Sequence, residues 1–389
     1  MLRFPVLFGI CSVLFLSVSL CQALEPLYVD KTEFESLNRI LIKKEFIFVH
    51  APFPSCHAST IEQVPSGELV AAWFGGTVEN HPDCSIWFSR TENGKWTPPV
   101  KIREQIDKRG NHRPCWNPVL FQPKNGPLIL FYKVTEVDDA NDTTHYRWRG
   151  ERQLSFDEGK TWTGRIRFAK ELIGPSKNKP IQLDDGTILC ASNFKIGNHD
   201  SSVTTTKDYG VTWTTSEPLN IAKTEGGSTQ GSFLRYSDNR LQMICRNNTS
   251  GSGNLRQFWS EDNGKTWSKM SDLNLPNPNS GTDAVTLNDG RQLLIYNHSH
   301  QADKNNNVQG KGRSVLNLAV SKDGVQWNAV CVLEDQKGEY SYPAIIQTKD
   351  GSVHIVYTWL RKLIKHVVID PQKIEGVPII EGVWPEIIH

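Results

Sequence analysis

The sequence predicts an all-β protein, a six-bladed β-propeller of four-stranded antiparallel blades. Three observations carry this. First, a short apolar run meets a Gly- or Asn-centred turn and returns as a second apolar run six times: at Ser66-Gly67-Glu68-Leu69, Asn125-Gly126-Pro127-Leu128, Asp185-Gly186-Thr187-Ile188, Asp238-Asn239-Arg240-Leu241, Asp289-Gly290-Arg291-Gln292 and Asp350-Gly351-Ser352-Val353. Successive turn residues lie 59, 60, 53, 51 and 61 positions apart. Gly and Asn tolerate positive φ, so each copy reads as a tight β-hairpin. A repeat of roughly 50–60 residues built on a small antiparallel sheet marks a propeller rather than a solenoid.

Second, an Asp-centred turn recurs in phase with the hairpins. Ser155-Phe156-Asp157-Glu158-Gly159-Lys160-Thr161-Trp162 and Ser260-Glu261-Asp262-Asn263-Gly264-Lys265-Thr266-Trp267 share every fixed position, and Thr206 to Trp213 differs by Thr for Ser. Ser321 to Trp327 is one residue shorter, and Ser89 to Trp96 lacks the Asp. In such a turn Asp accepts from backbone N–H groups of its own loop, Gly takes positive φ and Trp covers the hairpin base. These acidic residues are structural. Third, the last repeat has three strands (Tyr342 to Gln347, Val353 to Trp359, Ile364 to Ile369) and no Asp turn, so its fourth strand is expected from Glu45-Phe46-Ile47-Phe48-Val49. That would close the ring without a free sheet edge.

The first element of the chain stands apart. Arg3, an apolar stretch from Phe4 to Leu20 and then Cys21-Gln22-Ala23 read as a secretory signal peptide over 1–23. The propeller is expected to occupy 24–389. No later stretch approaches the roughly 20 apolar residues that span a bilayer, so a secreted, extracellular protein with no membrane span is expected. A net charge of +1 gives no reason to expect a nucleic-acid partner. Six cysteines follow the signal: Cys56, Cys84, Cys115, Cys190, Cys245 and Cys331. None forms a CxxC pair, and neither a metal nor a cofactor is expected. In an oxidising compartment one to three disulfides could form. Cys56 and Cys115 both precede their blade's turn Gly by 11 residues, which would place them opposite each other or leave both as buried thiols. Sequons at Asn141, Asn247, Asn248 and Asn297 are candidate glycosylation sites.

With strands ordered A to D in each blade, A–B and C–D turns share one face. The starts of strands A and C and the ends of strand B share the other. Counting back about 8–11 residues from each hairpin, by the hairpin spacing, reaches His57, Trp116 with Asn117, Asn178 with Lys179, Gln230, Asp283, and Tyr340 with Tyr342. The B-strand ends add Phe74-Gly75-Gly76, Lys133, Asn193, Arg246, Asn297 with His298, and Trp359 with Arg361, while C strands begin near Arg149, Arg256 and Arg313. Arg113 leads a polar-aromatic segment into the second blade. Cationic forks beside aromatic platforms suit an acidic sugar, because Arg clamps a carboxylate bidentately. An acidic glycan or glycoconjugate is the expected partner.

Asp turns at these intervals resemble those of the sialidase (neuraminidase) superfamily, over nearly all of the chain beyond the signal. The resemblance implies a six-bladed propeller, three carboxylate-binding arginines, a Tyr nucleophile activated by a Glu, and an acid/base Asp after the first hairpin. Arg256, in Gly253-Asn254-Leu255-Arg256, fits the second arginine and Arg313 the third. Tyr340 stands where the nucleophile belongs, an exception to the two-carboxylate glycosidase scheme. His57, in Cys56-His57-Ala58-Ser59-Thr60-Ile61, occupies the first arginine's position, and Gln230 the activating Glu's. Gln cannot take a proton, so Tyr340 would need another partner such as Asp283. Glu79 and Asp83 are both available as the acid. Three functions follow: an exo-glycosidase acting on a carboxylate-bearing sugar; a uronate-directed lyase in which His57 is the base and Tyr340 or Tyr342 protonates the leaving oxygen; and a non-catalytic carbohydrate-binding or matrix propeller.

Overall fold

The computed structural model describes residues 28–30, 36–136, 147–170, 172–193, 200–248, 253–300 and 312–388. The expected signal peptide and the Asn141 sequon lie outside them. The regular secondary structure of the described residues is almost entirely strand, arranged as a six-bladed β-propeller. The six inner strands, in blade order, are Ser55–Gln63, Cys115–Phe121, Ile181–Gln182, Ser228–Arg235, Asp283–Thr286 and Tyr340–Gln347. Each pairs antiparallel with the strand that follows its hairpin. A fifth strand, Val377–Pro378, is added to the outer edge of blade five.

Blade six closes as expected, with a shifted boundary. Its fourth strand is Leu41–Phe46, antiparallel to Leu363–Ile369 with Glu45 opposite His366. The apolar residues that follow leave the strand and enter the core. Ile47 and Phe48 are buried, and Phe48 stacks on Trp73 of blade one at 4.9 Å. The hydrophobic run therefore plugs the seam, and the more polar Leu41-Ile42-Lys43-Lys44 segment supplies the sheet edge. Among the described residues the core comprises six buried clusters, one at each junction between neighbouring blades. Residues alternate around each strand, so every blade buries side chains on both faces.

The hairpin and Asp turns adopt the local geometry their residues dictate. Gly67, Gly186, Asn239, Gly290 and Gly351 all have φ between 67° and 93°. Gly126 does not; it is small because a Cβ there would lie 2.7 Å from the Tyr209 ring of the adjoining Asp turn. In that Asp turn and its relatives, Asp157, Asp208 and Asp262 accept from the backbone N–H of Thr161, Thr212 and Thr266, and Asp323 from Val325 and Gln326. Blade one has Thr91 at the Asp position and turns instead at Asn93-Gly94, both at positive φ. Ser66 of the first hairpin donates to Glu158 of the second blade's Asp turn, which confirms that the two turn types share a face.

All six cysteines of the described residues are buried free thiols. Cys56 packs between blades six and one and Cys115 between blades one and two, so the Cys56–Cys115 bridge does not form. Burial pushes the Cys115 thiol up to about 12. Two of the sequon asparagines are also buried. Asn247 donates to the Asn277 carbonyl, and Asn297 to the carbonyls of Val315 and Tyr340. Their amides are consumed inside the fold, which excludes Asn247 and Asn297 as glycan acceptors; Asn248 is half-buried.

Candidate active site

Inner strands of blades one, two, four and six carry the same irregularity near their starts. Register shifts between His57 and Thr60, Trp116 and Val119, Thr229 and Ser232, and Ser341 and Ala344. Within each bulge one residue takes positive φ: Ala58 at 56°, Asn117 at 35°, Gln230 at 55° and Tyr342 at 52°. Each stands nine positions before its hairpin's turn residue (for example, 351 minus 342). A bulge inserts an extra residue and re-aims the side chains around it, and positive φ at a non-Gly residue stores strain of order 1–3 kcal/mol. Here it concentrates polar groups at the end of the axis.

Tyr342 is the centre of that cluster. Its hydroxyl accepts from Arg246 Nη1, which also donates to Gln230 Oε1 at 3.1 Å. Arg246 and Arg313 each lie 5.6 Å from the centre of its ring, from blades four and five. Asn279 holds both arginines: its Oδ1 accepts from Arg246 Nε at 2.7 Å and its carbonyl from Arg313 Nη2 at 2.8 Å. Glu339 pairs with Arg313 at 3.0 Å and Arg361 at 2.9 Å, and accepts from Ser341 Oγ. Arg361 in turn reaches Glu79 at 2.6 Å. Burial alone would raise the Tyr342 phenol, but the charges of Arg246 and Arg313 and a hydrogen bond from Gln230 together hold it below the ordinary tyrosine range.

His57 packs its ring 4.1 Å from that of Tyr342. Its Nδ1 is paired with Thr358 Oγ1 at 2.9 Å, whereas its Nε2 has no partner among the described residues. Burial, then the nearby Arg361, Arg313 and Arg246, hold His57 well below its usual range, so it is neutral. Beyond it runs an aromatic wall of Phe74, Trp116 and Trp148, with Lys133 Nζ 4.7 Å over the Trp148 ring. Lys133 donates to the Ser176 carbonyl, and Lys177 to the carbonyls of Thr282 and Pro343. Burial brings both ammonium groups down to about 7.

The structure relocates several expected residues. Tyr340 does not meet the arginines: it lies in the core between blades five and six, beside Trp359. The bulge that follows it turns Tyr342 into the site instead. Arg256 pairs with Asp272 on the outer strand of its own blade, and Arg246 is the blade-four arginine at Tyr342. Asp83 braces its own loop, accepting from Thr77 and pairing with His81, while Glu79 faces the cluster. Asp283 is no partner for Tyr340. It binds Lys179 of blade three at 2.6 Å, Ser232 of blade four at 2.8 Å and the Ile345 N–H of blade six at 2.9 Å, stapling four blades across the axis. Arg113 pairs with Asp107 in a small hairpin outside the cluster. Trp116 donates to Thr135 in the aromatic wall, and Asn117 to the Ser176 carbonyl. Lys177, Asn279, Glu339 and Thr358 were not anticipated. The nine-residue offset would have found Lys177, since 186 minus 177 is nine.

A separate hollow of about 470 Å³, lined by Lys101, Arg103, Glu104, Gln153 and Arg165, lies on the outer flank of blades one and two. Its arginines converge on buried Glu151, and it contains no nucleophile. No group of three or more His, Cys, Asp or Glu side chains is placed to hold a metal among the described residues, and no described helix is long and apolar enough to cross a membrane.

A six-bladed ring whose mouth gathers arginines around a bulge-borne tyrosine defines a sialidase-like propeller. The chain belongs to the BNR repeat-like domain family, whose model matches residues 67–355. It is 24% identical over 248 residues to an anhydrosialidase of Macrobdella decora, covering 59% of this chain and 31% of that protein. It is likewise 24% identical over 221 residues to a sialidase of Bacteroides fragilis, covering 52% of this chain and 38% of the relative. The chain thus matches about a third of the length of these curated relatives. The intramolecular trans-sialidase of Ruminococcus gnavus shares the fold with a TM-score of 0.67 at 13% identity, over 87% of this chain and 99% of that one.

Proposed function

We propose that the protein is a secreted, sialidase-type exo-glycosidase that cleaves a carboxylate-bearing sugar from a glycan. The observation that supports this best is the convergence of Arg246 of blade four and Arg313 of blade five on Tyr342 of blade six. The substrate carboxylate lies against the two guanidinium groups, and a sugar face against the aromatic wall. Tyr342, having released its phenolic proton to water, attacks the anomeric carbon through its oxygen while the bond to the leaving oxygen breaks; Glu79 in its protonated form gives that oxygen its proton. Water then cleaves the tyrosyl–sugar bond, returning its proton to Glu79.

A second reading is favoured by one feature, the buried neutral imidazole of His57 with an unpartnered Nε2. In a uronate lyase His57 takes the proton beside the carboxylate, the arginines offset the developing charge, the C–O bond to the leaving sugar breaks with Tyr342 giving that oxygen its proton, and the sugar gains a double bond. Purified protein offered sialosides, other keto-acid sugars and uronate glycans separates the two by product mass and ultraviolet absorbance. Hydrolysis adds water across the bond, whereas elimination yields an unsaturated product and requires His57. Binding without turnover across the whole panel would instead identify a lectin-like propeller.

A further inference from the structure

The position from which a carboxylate would activate the tyrosine holds Gln230, yet Tyr342 is not left without an electrostatic partner. We propose that Arg246 is the residue that activates Tyr342, positioning and polarising its phenolic oxygen by direct donation so that no carboxylate is needed. The role rests on the glycan-cleaving reading above and is additional to carboxylate binding.

The geometry is specific. Arg246 Nη1 contacts the Tyr342 hydroxyl and Gln230 Oε1 together, so the Gln side chain presents its carbonyl to the guanidinium. Gln230 therefore braces Arg246 while its side chain also bonds the Tyr342 phenol. Nε of the same guanidinium is held by Asn279, which also fixes Arg313 through its backbone carbonyl. Asn279 sits at φ 55°, where its conformation lets side chain and carbonyl serve both arginines. The mouth's carboxylates face arginines: Glu339 pairs with Arg313 and Arg361, and Glu79 with Arg361. His57, neutral at the ring, adds no charge of its own.

A permanent cation donating to a phenol oxygen favours its anionic form. Burial opposes ionisation and Glu79 adds to that, but the charges of Arg246 and Arg313 together with a hydrogen bond from Gln230 bring the tyrosine below its ordinary range; Lys177, 6.0 Å over the ring, is the other cation that faces it. A site activated this way keeps a nucleophile or base ready without passing its proton to a neighbouring carboxylate. It also predicts an inversion. A Glu at position 230 would compete for Arg246 and repel the phenolate, weakening the activation it supplies in sialidases.

The test needs no substrate. Phenolate absorbance is titrated for the full-length protein and for Tyr342→Phe, and the difference isolates one tyrosine. The expected midpoint lies below the ordinary value of about 10. Arg246→Gln should raise it by about one pH unit or more, a shift worth roughly 1.4 kcal/mol. Gln230→Glu should also raise it, and Gln230→Met should move it less than Arg246→Gln does. Circular dichroism confirms that each variant folds; if Arg246→Gln does not, Arg246→Lys, which keeps the charge but loses the fork, decides by whether the midpoint rises. A wild-type midpoint at or above about 10, or one that Arg246→Gln does not raise, overturns the proposal. If the titration behaves as expected but no glycan in the panel is cleaved, the enzymatic reading fails and this one stands.

Discussion

Replacing Arg313 by Lys keeps the charge but removes the planar fork, so carboxylate recognition should weaken. The expected result is a roughly 10–100-fold lower kcat/KM, mainly through KM, with an unchanged thermal midpoint; steady-state kinetics on a cleaved acidic glycoside would show it. At this scale the sequence was partly legible. It placed His57, Gln230, Arg246, Arg313 and Tyr342 in the ring because the hairpin turns act as a ruler. It favoured Tyr340 and Arg256 for a physical reason. A bulge changes which face each following side chain takes, and a fixed strand period does not contain it. Arg256 has the residue type the chemistry asks for, but only the structure shows Asp272 occupying it. Glu339 and Asn279 carry no pattern of their own; their importance comes from what they hold.

Among the elements, the closing strand of blade six has a distinctive polar contact. His354 Nδ1 pairs with His366 Nε2 at 3.0 Å, and His366 Nδ1 with Glu45 of the N-terminal strand at 3.0 Å. Burial, then the neighbouring His366, lowers His354 to about 4; Asp350, Lys43 and Glu45 are the other charges that face it. Burial opposes ionisation of Glu45, but its bonds to His366 and Lys43 bring it to about 2. The unfolded chain binds more protons than the folded one between the ordinary histidine value of about 6.5 and about 4. Stability should therefore be full above pH ~6.5 and fall progressively towards pH ~4, with Glu45 adding to the loss below that. His354→Gln should flatten this acid-side loss in urea titrations read at several pH values. An unchanged slope in the variant would assign the acid sensitivity to other groups. The elements themselves were the most legible part of the chain, since each hairpin and Asp turn is local chemistry. The exception is the closing strand, where the apolar Ile47-Phe48 pair reads as strand but serves as core.

At the scale of the whole molecule, ring closure places six blade ends around one axis and so makes the site. Phe48 bridges the seam by stacking on Trp73, where the first blade packs against the last. Phe48→Ala should cost about 3–5 kcal/mol in equilibrium unfolding, as large-to-small core substitutions do. Loss of activity should follow unfolding rather than precede it. A cost under about 1 kcal/mol, the scale of a surface change, would mean that the seam does not hold the ring. Six evenly spaced turns made this architecture readable before any coordinates. The cross-axis staple of Asp283 was not readable, because its partners come from three other blades and are separated by long stretches of sequence.

The central claim is that Tyr342, in its bulge at the axial mouth, performs the chemistry. Turnover of the best acidic glycoside by Tyr342→Phe and Tyr340→Phe, each compared with the unaltered protein at equal thermal stability, tests it most directly. Tyr342→Phe should lower kcat by about 10³-fold or more, an activation cost of at least roughly 4 kcal/mol, while Tyr340→Phe stays within a few-fold of the unaltered protein. Undiminished turnover by Tyr342→Phe, or its loss in Tyr340→Phe alone, would contradict the account.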